Sequence, residues 1–261
     1  MSLEHFIDTF HQHKHSEAII WHDSIYTYSE LLTEIERGSA LLKQKNISEG
    51  TVVMLEADYS PVSIGMLFAL IQHNCIIAPI AGATDEKKKR YRDIAQIELS
   101  IRINDTGDIV FERFPSELNH GILRELRAKS KPGLILFTSG STGESKAIVH
   151  DFSKFLEKFR TAKHRHRTLN FLLFDHVAGL NTMFYTLATG GCIITIRDRS
   201  PDAVSAAIEK YKVQLLPTSP TFINLLLFSE ACKRYDLSSL EIVTYGTEVM
   251  PQSTLRSVIE T

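Results

Sequence analysis

Short apolar, β-branched runs recur along this chain, separated by segments of helical length, and that alternation does most to limit the folds open to it. Thr51 to Leu55, Cys75 to Ile80, Leu134 to Phe137, Ala147 to His150, Phe171 to Phe174, Cys192 to Ile196, Val213 to Leu216 and Glu241 to Tyr245 read as strands. Between them, Thr27 to Lys45 reads as a helix, because Thr27 and Glu30 have capping-box spacing and Leu31, Ile35 and Leu42 recur at near-helical intervals. Ser60-Pro61 and Ser200-Pro201 each supply a capping residue followed by a residue suited to the first helical position, which predicts helices to about His73 and to Tyr211. Phe152 to Lys163, Leu180 to Ala188 and Pro220 to Phe228 also have helical length. Strands that are apolar throughout need cover on both faces, and helical crossovers make neighbouring strands parallel. The expected fold class is therefore α/β, with mostly parallel sheets flanked by helices.

With 261 residues and 43% hydrophobic content, the chain can bury a large core as one big domain or two. The stretch from Asn104 to Lys131 is polar and less readable. A net charge of -2 gives no general nucleic-acid footprint, and the run Lys87 to Arg90 reads as a solvated helix face. Three widely spaced cysteines, Cys75, Cys192 and Cys232, suggest neither a disulfide framework nor a metal motif, so a reducing compartment fits. The amino-terminus carries Glu4 and Asp8 without a basic region and apolar run, and the longest apolar stretches, such as Ile64 to Ile71, are too short to span a bilayer. The expectation is a soluble, cytoplasmic protein without a membrane span.

Most of the chemistry is expected in LILFTSGSTGESKAIVH, from Leu134 to His150, where a buried strand runs into small hydroxyl and glycine residues and ends near a lysine. Gly140 and Gly143 let backbone N–H groups approach phosphate oxygens, Thr138, Ser139, Ser141 and Thr142 add hydroxyl donors, and Lys146 adds a mobile charge. A flexible Ser/Gly linker has similar composition, but here strands flank both ends. The ordinary mononucleotide P-loop fails on spacing, since its lysine directly follows a glycine.

TSGSTG with a lysine three residues later resembles the phosphate-loop signature of AMP-forming acyl and aryl acid synthetases, the superfamily of acyl-CoA synthetases, peptide-synthetase adenylation domains and luciferases. Ser145 stands where that family usually has Pro, and Ala147 where it has Gly. Ala18 to Ser29, Thr51 to Pro79 and Phe171 to Gly191 resemble the same large N-terminal domain in content and order, so the resemblance spans nearly the whole chain. It implies ATP and Mg²⁺, a small carboxylic acid, and CoA or a carrier-protein phosphopantetheine as acceptor. In FDHVAGL, His176 falls where acyl- and aryl-CoA synthetases carry a histidine beside the carboxylate and α-phosphate, and Gly179 either gives the substrate room or begins a helix. Lys146, His176 and Thr142 are the implied catalytic residues. Thr138, Ser139, Gly140, Ser141, Thr142, Gly143 and Lys146 are the implied nucleotide-binding loop. Tyr245-Gly246-Thr247-Glu248 is one residue short of the family's YGxTE and sits in the context of its earlier GGEPLP turn. Gly246, Thr247 and Glu248 are then expected to line the adenine pocket, with no metal ligand among them.

Phe184, Tyr185, Pro217, Thr218 and Phe222 are candidates for acid pocket or core. His11, His13 and His15 read as a polar terminal segment, and His164 to Arg167 as a basic patch suited to a helix C-terminus and more weakly to CoA or carrier-protein phosphate. The later parts of the family, YGxTE, a ribose-holding aspartate, a hinge and a mobile C-terminal domain, are not found here. Residues 1–261 are thus expected to be a partial N-terminal AMP-binding domain, an incomplete fragment inactive by itself, in which exposed apolar surface could favour a dimer.

Overall fold

A computed structural model describes residues 3–139, 145–246 and 248–260. The chain begins with α1 (Glu4–Gln12), β1 (Glu17–Trp21), β2 (Ser24–Thr27) and α2 (Tyr28–Gln44), and continues through β3 (Val52–Glu56), α3 (Pro61–Gln72), β4 (Ile76–Ile80), α4 (Asp85–Ala95), β5 (Leu99–Ile103) and β6 (Ile109–Arg113). After α5 (Gly121–Ala128) come β7 (Gly133–Ser139), β8 (Ser145–Asp151), α6 (Phe152–Glu157), β9 (Arg167–Leu169), α7 (Val177–Ala188) and β10 (Cys192–Ile194). The last elements are α8 (Pro201–Tyr211), β11 (Leu215–Thr218), α9 (Pro220–Phe228), β12 (Ile242–Tyr245) and α10 (Gln252–Glu260).

The strands form two six-stranded sheets, in the orders β12-β11-β9-β10-β1-β2 and β6-β5-β3-β4-β7-β8. Among the described residues only the edge strands β2, β6 and β8 run antiparallel to the strand beside them. The α/β class with mostly parallel sheets is thus borne out. Alternate residues of a strand serve opposite faces, and here they serve different layers. Val53, Leu55, Leu134 and Ile19 join a central core containing α1, α2, α3 and α7 side chains. Their neighbours Val52, Met54 and Ile135 face an outer layer with Leu123 and Leu126, while Ile20 faces another with Val204 and Ile208. Helices thus cover both faces of both sheets.

The capping chemistry read from the sequence is realised. Thr27 accepts from the Glu30 N–H while the Glu30 carboxylate accepts from the Thr27 N–H at 2.6 Å. Ser60, Ser200 and Ser219 each cap a helix that opens with Pro. Ile64 to Ile71 lies in α3 and is buried throughout, with Gly65 at its contact with α2, where a Cβ would stand 2.8 Å from the Glu34 carbonyl carbon. Only glycine lets the two backbones come this close.

Three expectations change. Phe171 to Phe174 is not a strand. The ladder runs one turn earlier, with Arg167, Thr168 and Leu169 opposite Cys192, Ile193 and Ile194. The aromatic residues instead anchor a loop, Phe171 packing on Phe222 at 4.6 Å between ring centroids and Phe174 edge-on to Tyr59 at 5.0 Å. The helix assigned to Phe152 to Lys163 tightens after Glu157 into a 3-10 turn, Lys158–Thr161. The polar stretch from Asn104 to Lys131 holds β6 and α5; β6 is a short edge strand with no fully buried residue, set between polar segments.

Candidate active site

In each sheet, three successive strands place a switch point at their carboxyl ends: β3 and β4 separate crossovers that move in opposite directions, as do β9 and β10. Crevices form at such points in open α/β sheets. The two sets of carboxyl ends converge here. Arg199 beyond β10 pairs with Asp58 beyond β3 at 3.0 Å, Arg197 with Asp105 at 3.1 Å, and Asp175 accepts from the Ala81 N–H at 3.1 Å. Burial raises the Asp175 pKa, partly countered by that backbone hydrogen bond.

His176 is the N-cap of α7. Its Nδ1 accepts from the Ala178 N–H at 3.1 Å, so the neutral ring carries its hydrogen on Nε2, which is left to donate. The ring is exposed at the rim of a cleft of about 520 Å3 whose walls include Phe171, Leu172, Pro217, Phe222, Thr218 and Gly246. The Thr218 hydroxyl is buried without a hydrogen-bond partner among the described residues, an unusual state for a polar group. It joins His176, Asn181, Thr182, Arg199 and Ser219 among the polar groups of this largely apolar cleft. Of the aromatic candidates, Phe222 lines the cleft, whereas Phe184 is fully buried among Phe6, Phe68 and Phe152, and Tyr185 packs at the edge of the same core. Gly179 leaves no room for substrate: a Cβ there would stand 2.6 Å from the Tyr59 hydroxyl oxygen and closer still to the Leu173 carbonyl oxygen. It is the close approach of α7 to its preceding loop that requires glycine.

Thr138 and Ser139 end β7, and β8 returns antiparallel with Lys146 opposite Thr138 and Ser145 opposite Ser139. Thr138 and Lys146 are exposed, and Lys146 makes no ion pair among the described residues. Gly140, Ser141, Thr142 and Gly143 lie outside the described residues, as does Thr247. The described residues of the hairpin belong to the second sheet and are not among those lining the His176 cleft, whereas His176 and Gly246 line it together. The Glu248 carboxylate accepts from the Thr221 N–H at 3.2 Å and its hydroxyl at 2.6 Å, tying the turn after β12 to the first turn of α9.

A second cleft, of about 370 Å3, opens beyond β3, β4 and β5 and was not foreseen from the sequence. Leu173 and Arg199 line both clefts and so stand between them. On its wall, Glu56 ends β3 and accepts from Ser100 at 2.7 Å, Lys88 at 2.7 Å and Arg102 at 3.2 Å. Burial pushes the Glu56 pKa up, but the hydrogen bonds and charge of Lys88, with Ser100 and Arg102, outweigh it and hold the carboxyl below its ordinary value. Lys88 thus departs from the expected solvated face. The available signal was Glu56 itself, a carboxylate closing an otherwise apolar strand.

The fold is that of the large N-terminal subdomain of adenylate-forming enzymes. In a solved structure of that kind, the Klebsiella oxytoca NpsA N-terminal subdomain in complex with 3-hydroxyanthranilyl-AMSN, the match has a TM-score of 0.80 at 19% identity and covers 98% of this chain and 68% of that one. The chain belongs to the family described as AMP-binding enzyme, whose model matches residues 6–261. It is 33% identical over 129 residues to 4-coumarate--CoA ligase-like 9 of Arabidopsis thaliana, covering 45% of this chain and 23% of that protein. It is 22% identical over 274 residues to indoleacetate--CoA ligase of Aromatoleum aromaticum, covering 92% of this chain and 54% of that protein. The chain therefore spans about half or less of the length of these curated relatives. No helix of the described residues is long and apolar enough to cross a membrane.

Proposed function

We propose that the complete protein carrying this chain activates a small carboxylic acid with ATP and transfers the acyl group to the thiol of CoA, in a reducing compartment such as the cytoplasm. A carboxylate resists direct attack because oxide is a poor leaving group. In the proposed first step an acid oxygen attacks the α-phosphorus of ATP, the bond to the β-phosphate oxygen breaks, and pyrophosphate leaves. In the second, a thiolate attacks the acyl carbon and AMP leaves. Both steps depend chiefly on positioning and neutralisation of charge.

The observation that carries this reading is the His176 cleft, a largely apolar space with a hydrogen-bond donor at its rim and an unsatisfied hydroxyl in its wall. The cleft suits an acid, its carboxylate near His176 Nε2. Thr138, Ser139, the Gly140 to Gly143 loop and Lys146 are assigned to the departing pyrophosphate, with Thr142 and Lys146 nearest the chemistry, and Gly246, Thr247 and Glu248 to the adenine side. Mg²⁺ arriving with ATP supplies further neutralisation of phosphate charge. Among the described residues no group of three or more His, Cys, Asp or Glu could hold a metal ion, so no protein ligand to it is assigned.

CoA is favoured as acceptor by His176 and by the lack of a recognisable amino-acid-binding pattern. Loading of a carrier protein is the alternative and differs only in the thiol. Acid-dependent ATP–pyrophosphate exchange by the complete protein tests the first step, and thioester formation with CoA against a phosphopantetheinylated carrier separates the acceptors. Nucleotide binding without exchange for any fatty or aromatic acid would instead mark a noncatalytic nucleotide-binding module.

A further inference from the structure

The first sheet carries a second concavity at the opposite pole. Glu17, Arg167 and Cys192 begin β1, β9 and β10, and Gln214 immediately precedes β11, so a cleft of about 420 Å3 lined by these residues with His15, Ser16, Arg165 and His166 lies at the amino ends of the parallel strands. The His176 cleft lies at the carboxyl ends of the same sheet.

The groups in this cleft are unequally engaged. Arg167 is occupied: it pairs with Glu17, donates from Nε to the Tyr211 carbonyl at 2.7 Å, and its N–H donates to the Gln214 side chain at 2.9 Å. That pairing uses the one carboxylate in the lining. Arg165 is exposed, and its side chain has neither an ion pair nor a hydrogen bond among the described residues. The Nδ1 of His166 is buried without a partner, although the His166 carbonyl is held by the Cys192 N–H at 3.0 Å. An unpartnered ring nitrogen and an unpaired guanidinium thus belong to residues lining the same cleft.

Other chemistries fit less well. The groups do not form a metal cluster, since no set of three or more ligating side chains occurs among the described residues. Cys192 is not a nucleophile here, because burial pushes its thiol up to about 12 and keeps it protonated. The local field is positive: burial, and then the Arg165 guanidinium, lower the pKa of neighbouring His13. We infer that this cleft binds a small phosphate-bearing anion through Arg165 and the imidazole of His166, with His15 also in its lining. Guanidinium and imidazole N–H groups make the charge-assisted hydrogen bonds such an anion needs, and the inference does not depend on the function proposed for the His176 cleft.

Inorganic pyrophosphate titrated into the 261-residue chain at constant ionic strength, followed through assigned histidine ring resonances, tests it. The titration is best made in a Lys146→Ala background, so that the β7–β8 hairpin contributes as little as possible. The rings of His15 and His166 should shift saturably, and Arg165→Gln should weaken that binding by about tenfold, the loss of one hydrogen bond to a charged group. Arg197→Gln, at the other pole and paired with Asp105, should leave it unchanged. Unaltered binding in Arg165→Gln, or equal shifts with sodium chloride at matched ionic strength, would overturn the inference. Shifts confined to His176 would overturn it too, by placing the anion at the carboxyl ends of the strands.

Discussion

Replacing Gly179 with alanine sets two calculable effects against each other. Gly179 lies in the first turn of α7, where alanine is intrinsically favoured over glycine by about 1 kcal/mol. The added Cβ, however, would stand 2.6 Å from the Tyr59 hydroxyl oxygen and nearer still to the Leu173 carbonyl oxygen. The carbonyl belongs to the backbone and cannot rotate aside, and Tyr59 is itself buried against Phe174. Overpacking of this kind costs about 1–3 kcal/mol, and the high end applies when backbone must move. The clash should win, for a net loss of about 1–2 kcal/mol. At roughly 2–4 °C per kcal/mol for a chain of this size, thermal unfolding should fall by about 2–8 °C. The start of α7 must shift as well, taking its N-cap, His176, with it, so the complete protein should lose acid activation beyond any loss of folded fraction. Scanning calorimetry of the chain reads the first effect. An unchanged or raised midpoint would show that helix propensity dominates, that space exists beside Gly179, and that the substrate-room reading was correct.

Other substitutions separate chemistry from folding. Lys146→Ala removes an exposed charge at the end of β8; its unfolding midpoint should stay within a degree or so of wild type while pyrophosphate exchange falls on the order of 10²-fold, and unchanged exchange would remove Lys146 from the mechanism. His176→Ala should cost about 1 kcal/mol through loss of the cap and also impair acid activation. His176→Asn, which can still cap the helix, should recover the stability alone; recovery of activity as well would make His176 structural. Glu56 has a folded-state pKa below the ordinary 4.5, so its network stabilises the fold above about pH 4.5 and loses that contribution as pH falls through the folded value. Glu56→Gln should therefore be destabilising at neutral pH and converge on wild type in acid, as urea midpoints across pH would reveal. β12 presents exposed Ile242, Val243 and Tyr245 at the edge of its sheet among the described residues, and Phe228 and Val249 are exposed as well. Sedimentation velocity of the isolated chain should accordingly show concentration-dependent self-association.

Much of the frame was legible because local chemistry and tertiary need agree. Ser60-Pro61 starts α3 as a capped helix, and the unbroken apolar runs at Val52 to Leu55 and Ile76 to Ile80 are strands covered on both faces. What was hidden lies where they disagree. Arg167 and Thr168 make β9 look polar because Arg167 turns its guanidinium to Glu17 at the sheet end. Phe171 to Phe174 looks like a strand because a loop wedged between two sheets needs the same apolar anchors. The start of α7 was set too late, since a histidine rather than Ser, Thr, Asp or Asn caps it. At the candidate site, the sequence marked His176 and Gly246, which the fold brings to one cleft. It could not reveal Arg199, whose place follows from two sheets meeting at their carboxyl ends, and for Glu56 it offered only a carboxylate closing an apolar strand. Thr142 and the rest of the Gly140 to Gly143 loop, with Thr247, lie outside the described residues.

The decisive assay uses the complete protein. Pyrophosphate exchange into ATP should be measured across a panel of fatty and aromatic acids, with wild type, Lys146→Ala and His176→Asn side by side. The account predicts exchange that requires a carboxylic acid and falls on the order of 10²-fold in each variant. Exchange that proceeds without any acid, or that both substitutions leave untouched, would contradict the claim that the hairpin and the His176 cleft together form an adenylation site.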